Sequence, residues 1–280
     1  MILWKIHRTG NALWSYLLST GIRYPKGRVD LSIAVGIPIS RYFDWRTVQS
    51  IVSVIINDCM KTRHLPTFIT RGNHERFMAI EKARCQIAQD VVMGGFDYLL
   101  FMDSDATLAP GTLERLLSWD VPIVSALCFK RREIVTPAFQ LDKFDAETFN
   151  PYRSAEVDKV AEWIGKYGQL NTSTEVMLPT TPEGSLLEVD RVDTHCLLIH
   201  RDVLEAVPEP RFERTTPEES GATGSDYDFC NKARRAGFKI YVDLSVIAGH
   251  LDGSHILSGM DFMMGAMYLN AMRKQFGLGG

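Results

Sequence analysis

Two carboxylates separated by one serine, Asp103-Ser104-Asp105, end the apolar run Tyr98-Leu99-Leu100-Phe101-Met102. A run of about five apolar residues reads as a strand buried on both faces. Gly94-Gly95 bounds it before and Pro110-Gly111 after. Buried strands do not carry acids at their tips for stability, and the carboxyl end of a strand in an open α/β sheet is where ligands bind. Two acids held together repel unless something positive lies between them, so these residues suit a divalent cation bound through oxygen. The competing reading is a solvated loop, because Asp-X-Asp is short.

Two further features stand far along the chain. Asp226, in Gly224-Ser225-Asp226-Tyr227-Asp228-Phe229, starts a helix expected over 226–236. A carboxylate there either caps free N–H groups at the positive end of the helix dipole or serves as a base presented to substrate from the glycine-containing loop 221–224. His250 follows Gly249 at the end of the apolar stretch 246–250. It reads either as a hydrogen-bonded structural imidazole or as a ligand that completes a site the carboxylates begin.

The elements that must position these groups alternate. Apolar runs at 31–38, 65–70 and 96–102 predict strands, and helical spacing over 44–60, 75–93 and 110–117 predicts the helices between them. Strand and helix in alternation is the pattern of a mostly parallel sheet with helices on both faces. A further strand over 121–129 leads into Lys130-Arg131-Arg132, and 134–140 pairs with it or starts another layer. Two strands are expected over 186–200, a short helix over 202–206, strands over 238–242 and 246–250, and a closing helix over 256–276. The stretch 141–184 is polar and rich in charge, and reads as an insertion or mobile loop. Residues 2–18 suggest a helix that docks on the main domain or lies on a membrane surface.

Bulk properties narrow the class. With 280 residues, 45% of them hydrophobic and 23% charged, the chain has the composition of one large globular α/β domain. A net charge of -3 and a pI near 6.2 give no general field for nucleic acid. The five cysteines are scattered and never spaced Cys-X-X-Cys, which suits buried thiols in a reducing compartment. No uncharged apolar stretch reaches the roughly 18 residues of a spanning helix, so a cytoplasmic protein, with membrane-peripheral attachment as the variant, is the expectation.

The acid-tipped strand, the acid-bearing helix start, then Ala236-Gly237-Phe238, Asp243 and Gly249-His250, taken together and in that order, resemble the GT-A fold nucleotide-sugar glycosyltransferases, particularly family-2-like members. The likeness covers roughly 31–250. It implies a single GT-A, Rossmann-like domain over 31–255, comprising a nucleotide-sugar-binding half at 31–140, the insertion at 141–184 and an acceptor-side half at 185–255. A helical extension at 1–30 and a helix at 256–280 flank that domain. The resemblance also implies a divalent cation, Mn²⁺ or Mg²⁺, held by Asp105 and His250, with Asp103 on the ribose or on the ion and its water shell. Pro38, Ser40, Arg71, Arg84, Ser104 and Arg131 would hold the base and phosphates of a UDP- or GDP-sugar, and Asp226 would remove the acceptor's proton. The acceptor stays open among glycan, lipid, protein and modified nucleobase. Ser225 stands where that family usually has glutamate. His195 stands where it often has glycine, and either lines the acceptor pocket or fills a gap.

Two rival readings remain. Phe101-Met102-Asp103-Ser104-Asp105-Ala106-Thr107-Leu108 also resembles the first motif of haloacid dehalogenase phosphatases, with Asp103 as nucleophile and Asp105 as acid/base, although two strand–helix units precede it. A non-catalytic nucleotide- or carbohydrate-binding module would keep the sheet without needing Asp226. The methionines between 260 and 272 suit core packing, a homodimer contact or an acceptor groove.

Overall fold

The computed structural model describes residues 31–39, 44–62 (backbone only from 55), 66–71, 79–130, 135–141, 162, 185–214, 224–257, 261–262 and 264–265. The expected N-terminal helix, nearly all of the 141–184 insertion, most of the closing helix, and the candidate residues Ser40 and Arg131 lie outside them.

The chain forms the α/β architecture expected of it, with a mostly parallel seven-stranded central sheet and smaller sheets beside it. The first half alternates β1 (Ile33–Pro38), α1 (Trp45–Thr62), β2 (Thr67–Arg71), α2 (Ile80–Met93) and β3 (Tyr98–Met102). The short strand β4 (Ala106–Thr107), α3 (Thr112–Ser118) and β5 (Ile123–Leu127) follow. Four short strands come next: β6 (Phe129–Lys130), β7 (Thr136–Pro137), β8 (Phe139–Gln140) and, after the insertion, β9 (Leu186–Val189). Then come β10 (Arg191–Val192), β11 (Cys196–His200), α4 (Arg201–Ala206), α5 (Ser225–Arg235), β12 (Ile240–Ile247), β13 (Gly249–Asp252) and β14 (His255–Leu257).

The central order is β2-β1-β3-β11-β5-β12-β9. Successive side chains of a strand point to opposite faces, and the two cores follow that alternation. Leu99, Phe101, Leu197 and Ile199 pack with Ile87 of α2, Val203 of α4 and Phe229 of α5. Tyr98, Leu100, Met102 and Leu198 pack on the other face with Val54 of α1 and Leu113 and Leu116 of α3.

Three expectations are corrected. The stretch 186–200 yields three strands, and the last, β11, runs antiparallel between β3 and β5, with Cys196 opposite Met102. The strands expected over 238–242 and 246–250 divide elsewhere: His250 is the second residue of β13 rather than a strand's end, and β12 runs from Ile240 to Ile247 through the buried Asp243 carboxylate, with a bulge between Asp243 and Ile247. Burial of that carboxylate is tolerated because Arg115 Nε (2.9 Å), Trp119 Nε1 (2.7 Å) and the Ser245 amide (2.9 Å) all donate to it. Finally, Ile256 and Leu257 belong to β14 rather than to a helix, because Gly253, at φ 59°, turns the chain back on β13.

Candidate functional site

The acids leave β3 at its carboxyl end. The Ala106 amide donates to the Asp103 carbonyl (3.0 Å), closing the turn through Ser104, and the chain continues into β4. There it meets β13, with Ala106 opposite His250 and Thr107 opposite Gly249, while the Leu251 amide donates to the Asp105 carbonyl (2.9 Å). Backbone register therefore carries His250 to the acids, and its Nε2 lies 3.5 Å from Asp105 Oδ2. The approach needs glycine at 249, where a Cβ would come within 2.4 Å of Thr107 Oγ1 and 2.6 Å of Ile256 Cγ2.

His195 arrives from the other side. It precedes β11, and the Asp103 amide donates to its carbonyl (3.2 Å). Its ring is buried and tilted beside that of His250, with centroids 4.3 Å apart. Its Nδ1 stands 3.7 Å from Asp103 Oδ2 and 3.9 Å from Asp105 Oδ1. Each ring is fixed from behind. His195 Nε2 donates to the Gly249 carbonyl and His250 Nδ1 to the Phe129 carbonyl, both at 3.0 Å. A carbonyl only accepts, so those nitrogens carry hydrogen, and the other nitrogen of each ring faces the carboxylates. One ligand atom each from Asp105, His195 and His250 lies within 4.8 Å of the others.

Arg84, buried on α2, approaches Asp103 Oδ1 with Nη2 (3.6 Å) while its Nη1 donates to Ser225 Oγ (3.0 Å). That hydrogen bond ties the start of α5 to the acid-tipped strand. It also shows what the serine does at position 225. Next to it, Asp226 turns back on its own helix: Oδ1 accepts from the Tyr227 amide (3.0 Å) and lies 2.4 Å from where a Cβ on Gly224 would stand. Asp228 is committed to structure, accepting from the Glu213 amide (3.2 Å) and pairing with Lys232 (2.6 Å). Lys130 bonds the Tyr227 hydroxyl and lies 5.0 Å from the ring centroid.

The electrostatics follow this arrangement. Burial pushes the Asp103 carboxyl up, but His195, Arg84 and His250 more than offset it and hold it at about 2. Asp105 is lowered against the same desolvation by His250 and His195. Burial opposes charge on His195, yet Asp103 and Asp193 raise it to about 9. Asp193, whose Oδ1 accepts from the His195 amide (3.2 Å), is lifted to about 6 by burial, aided by the negative charges of Asp226 and Asp103.

No protein-family profile and no curated protein matches the chain. Solved structures do resemble it. The protein A197 from STIV is 15% identical over 82% of this chain and 92% of its own, with a TM-score of 0.48. GalNAc-T7, solved with UDP, GalNAc and Mn²⁺, is 13% identical over 82% of this chain and 44% of its own, at 0.47. A glycosyltransferase involved in the glycosylation of the major capsid of PBCV-1 is 10% identical over 62% of each chain, at 0.29. Likeness at this level stops short of a family.

The fold gathers Arg84, Asp103, Ser104, Asp105 and His250 at one sheet edge, with Asp226 linked to them through Ser225 and Arg84. Pro38 and Arg71 stand at the same carboxyl end of the sheet, β1 running parallel beside β3 with Gly36 opposite Phe101. They end β1 and β2 in register with one another, and the Arg71 guanidinium pairs with Asp90 of α2. His195 is the residue whose place the sequence leaves undecided. Its ring faces Asp103 and Asp105, and its place before the apolar run Cys196–His200 is the one signal that puts it at a strand's end. Among the described residues no helix is long and apolar enough to cross a membrane.

Proposed function

We propose that the chain is a metal-dependent glycosyltransferase of the GT-A type, moving a sugar from a nucleoside-diphosphate sugar, a UDP- or GDP-sugar, to an acceptor hydroxyl. The observation that carries this reading is the approach of His250 Nε2 to Asp105 Oδ2 at the carboxyl end of β3, where an open α/β sheet takes its ligands. Asp105 and His250 would hold Mn²⁺ or Mg²⁺, with Asp103 beside them on the ribose or the ion's water shell. The buried Nδ1 of His195 and Oδ1 of Asp103 lack hydrogen-bond partners, as donors waiting on an added ligand do. A bound cation supplies Lewis-acid neutralisation of the charge that develops on the leaving diphosphate.

The remaining work falls to the chain's own groups. Arg84 keeps Asp103 ionised and adds positive charge near the leaving group. Pro38, Ser40, Arg71, Ser104 and Arg131 are assigned to the base and phosphates. Asp226 would take the acceptor's proton as the acceptor oxygen bonds to the sugar's anomeric carbon and that carbon's bond to the diphosphate oxygen breaks. This requires the carboxylate about 3 Å from the hydroxyl. Residues 31–255 form the catalytic domain in this reading. The phosphatase alternative gains no support from an Asp103 hemmed in by Arg84 and His195, and a binding module has no use for two imidazoles anchored against acids.

A screen of UDP- and GDP-sugars for Mn²⁺-dependent release of nucleoside diphosphate tests the proposal. At least one donor should be turned over, and Asp226→Asn should lower transfer by at least a hundredfold, in the range general-base catalysis contributes. Undiminished transfer by that variant would remove Asp226 as base. Release of inorganic phosphate from phosphomonoesters, lost in Asp103→Asn, would favour the phosphatase.

A further inference from the structure

We infer that His195 is a third protein ligand of the cation, so that Asp105, His195 and His250 hold it as a two-imidazole, one-carboxylate set before any nucleotide binds and prefer Mn²⁺, Co²⁺ or Zn²⁺ to Mg²⁺. This rests on the cation reading of Asp105 and His250 given above and adds a residue, an order of binding and a selectivity to it.

The spacing carries the first part. The three separations, 3.5 Å from His250 Nε2 to Asp105, 3.7 Å from His195 Nδ1 to Asp103 and 3.9 Å from His195 Nδ1 to Asp105, are longer than ordinary hydrogen bonds. Ligands on one ion with bonds of about 2.0–2.2 Å stand about 3 Å apart when adjacent, and at most about 4.4 Å when opposite. One ligand atom each from Asp105, His195 and His250 lies within 4.8 Å of the others, so a movement of a few tenths of an ångström brings all three within that span around one centre. The two imidazoles also aim at different oxygens of Asp105, His195 at Oδ1 and His250 at Oδ2.

The second observation is independent of the spacing. The His195 side chain is 2% exposed and its Nδ1 has no hydrogen-bond partner, while its Nε2 is fixed on the Gly249 carbonyl. A ring that only filled space, or only paired with Asp103, would close to bonding distance or turn its free nitrogen to water. Metal-bound histidines instead donate their far N–H to a carbonyl or carboxylate, which sets the ring's direction. Both rings here are held that way, His250 by Phe129.

The selectivity follows from donor chemistry. Mg²⁺ takes oxygen ligands in near-ideal octahedra and keeps its water, whereas imidazole suits the first-row transition ions. Two nitrogens against one carboxylate tip the set away from Mg²⁺. Three fixed donors also remove the need for phosphate oxygens to complete the first binding step.

The test is direct binding to nucleotide-free protein, by calorimetry and by the rise in melting temperature over protein in EDTA, with Mn²⁺, Co²⁺ and Mg²⁺ added in turn. Wild type should bind Mn²⁺ and Co²⁺ without nucleotide and at least tenfold more tightly than Mg²⁺. His195→Gln, which keeps most of the volume, should melt near wild type in EDTA. It should lose at least tenfold in Mn²⁺ affinity, narrow the preference over Mg²⁺, and alter the visible bands of bound Co²⁺. His195→Ala should do the same, with a lower melting temperature in EDTA. Mn²⁺ binding that needs UDP or GDP, and that His195→Gln leaves unchanged, would overturn the inference while leaving the glycosyltransferase reading in place. No Mn²⁺ binding with or without UDP or GDP would overturn both.

Discussion

His250 Nε2 lies 3.5 Å from Asp105 Oδ2 because β13 and β4 pair with His250 opposite Ala106. The two side chains are thus placed by main-chain hydrogen bonds, and Gly249, packed against Thr107 Oγ1 and Ile256 Cγ2, permits the approach.

Gly249→Ala should disturb that register. A methyl group forced against Thr107 and Ile256 should destabilise the protein by about 1–3 kcal/mol, the usual cost of overpacking. It should also shift both the His250 ring and the carbonyl that holds His195. Thermal unfolding and Mn²⁺ titration check this, and Thr107→Ala, which removes the nearer clash, should restore part of both.

Arg84 bridges Asp103 and Ser225 from a buried position. Arg84→Met keeps length but removes the cation, leaving the Asp103 carboxylate without it, and should destabilise by about 3 kcal/mol. Adding Asp103→Asn should recover part of that loss. A double-mutant cycle in chemical denaturation measures the coupling, and strict additivity would deny that the two groups act together.

Asp243 belongs to the pattern that carries the sequence resemblance, yet its carboxylate is fully enclosed by Arg115, Trp119 and Ser245. Asp243→Ala strands the Arg115 guanidinium and should destabilise by about 3 kcal/mol. Mn²⁺ affinity of the folded fraction should stay unchanged, because the Asp243 carboxylate is taken up by Arg115, Trp119 and Ser245. Calorimetric titration well below the variant's melting temperature checks this.

Asp97 fastens the start of β3 to the start of β1, its Oδ2 accepting from the Ser32 amide and hydroxyl, each at 2.8 Å. Desolvation opposes its charge, but the Ser32 bonds, with Arg201 and His200, lower its pKa below the ordinary 3.8. A carboxyl lowered on folding contributes stability that is complete above its unfolded value and is lost as pH falls through the folded one. Asp97→Asn should therefore melt below wild type at pH 7, by about 1.5 kcal/mol for hydrogen bonds to a charged group. The gap should be steady down to about pH 5 and close below about pH 4. Melting curves from pH 2.5 to 7 measure it.

The acid-tipped strand, the alternating strands and helices ahead of it and the helix behind Ser225 were legible because each carries its own local pattern. The direction of β11 was not. Cys196-Leu197-Leu198-Ile199 is apolar on both faces and would pack equally well in either orientation. His195 depends on that direction, since only the antiparallel pairing of Cys196 with Met102 sets it beside Asp103. The two-residue strand β4 is too short to leave a periodicity, so the register that delivers His250 could not be read either. Asp226 is bonded to the Tyr227 amide as a helix-start carboxylate is, while its neighbour Ser225 bonds Arg84, which pairs with Asp103; its role as base stays a proposal.

The most direct measurement of the central claim is calorimetry of UDP and GDP binding with and without Mn²⁺, on wild type, Asp105→Ala and His250→Gln. One nucleotide should bind wild type with Mn²⁺ and at least tenfold more weakly without it, with the metal-dependent part abolished in Asp105→Ala and reduced in His250→Gln. Equal affinity with and without metal, or metal-dependent binding untouched by both substitutions, would contradict a cation held between Asp105 and His250.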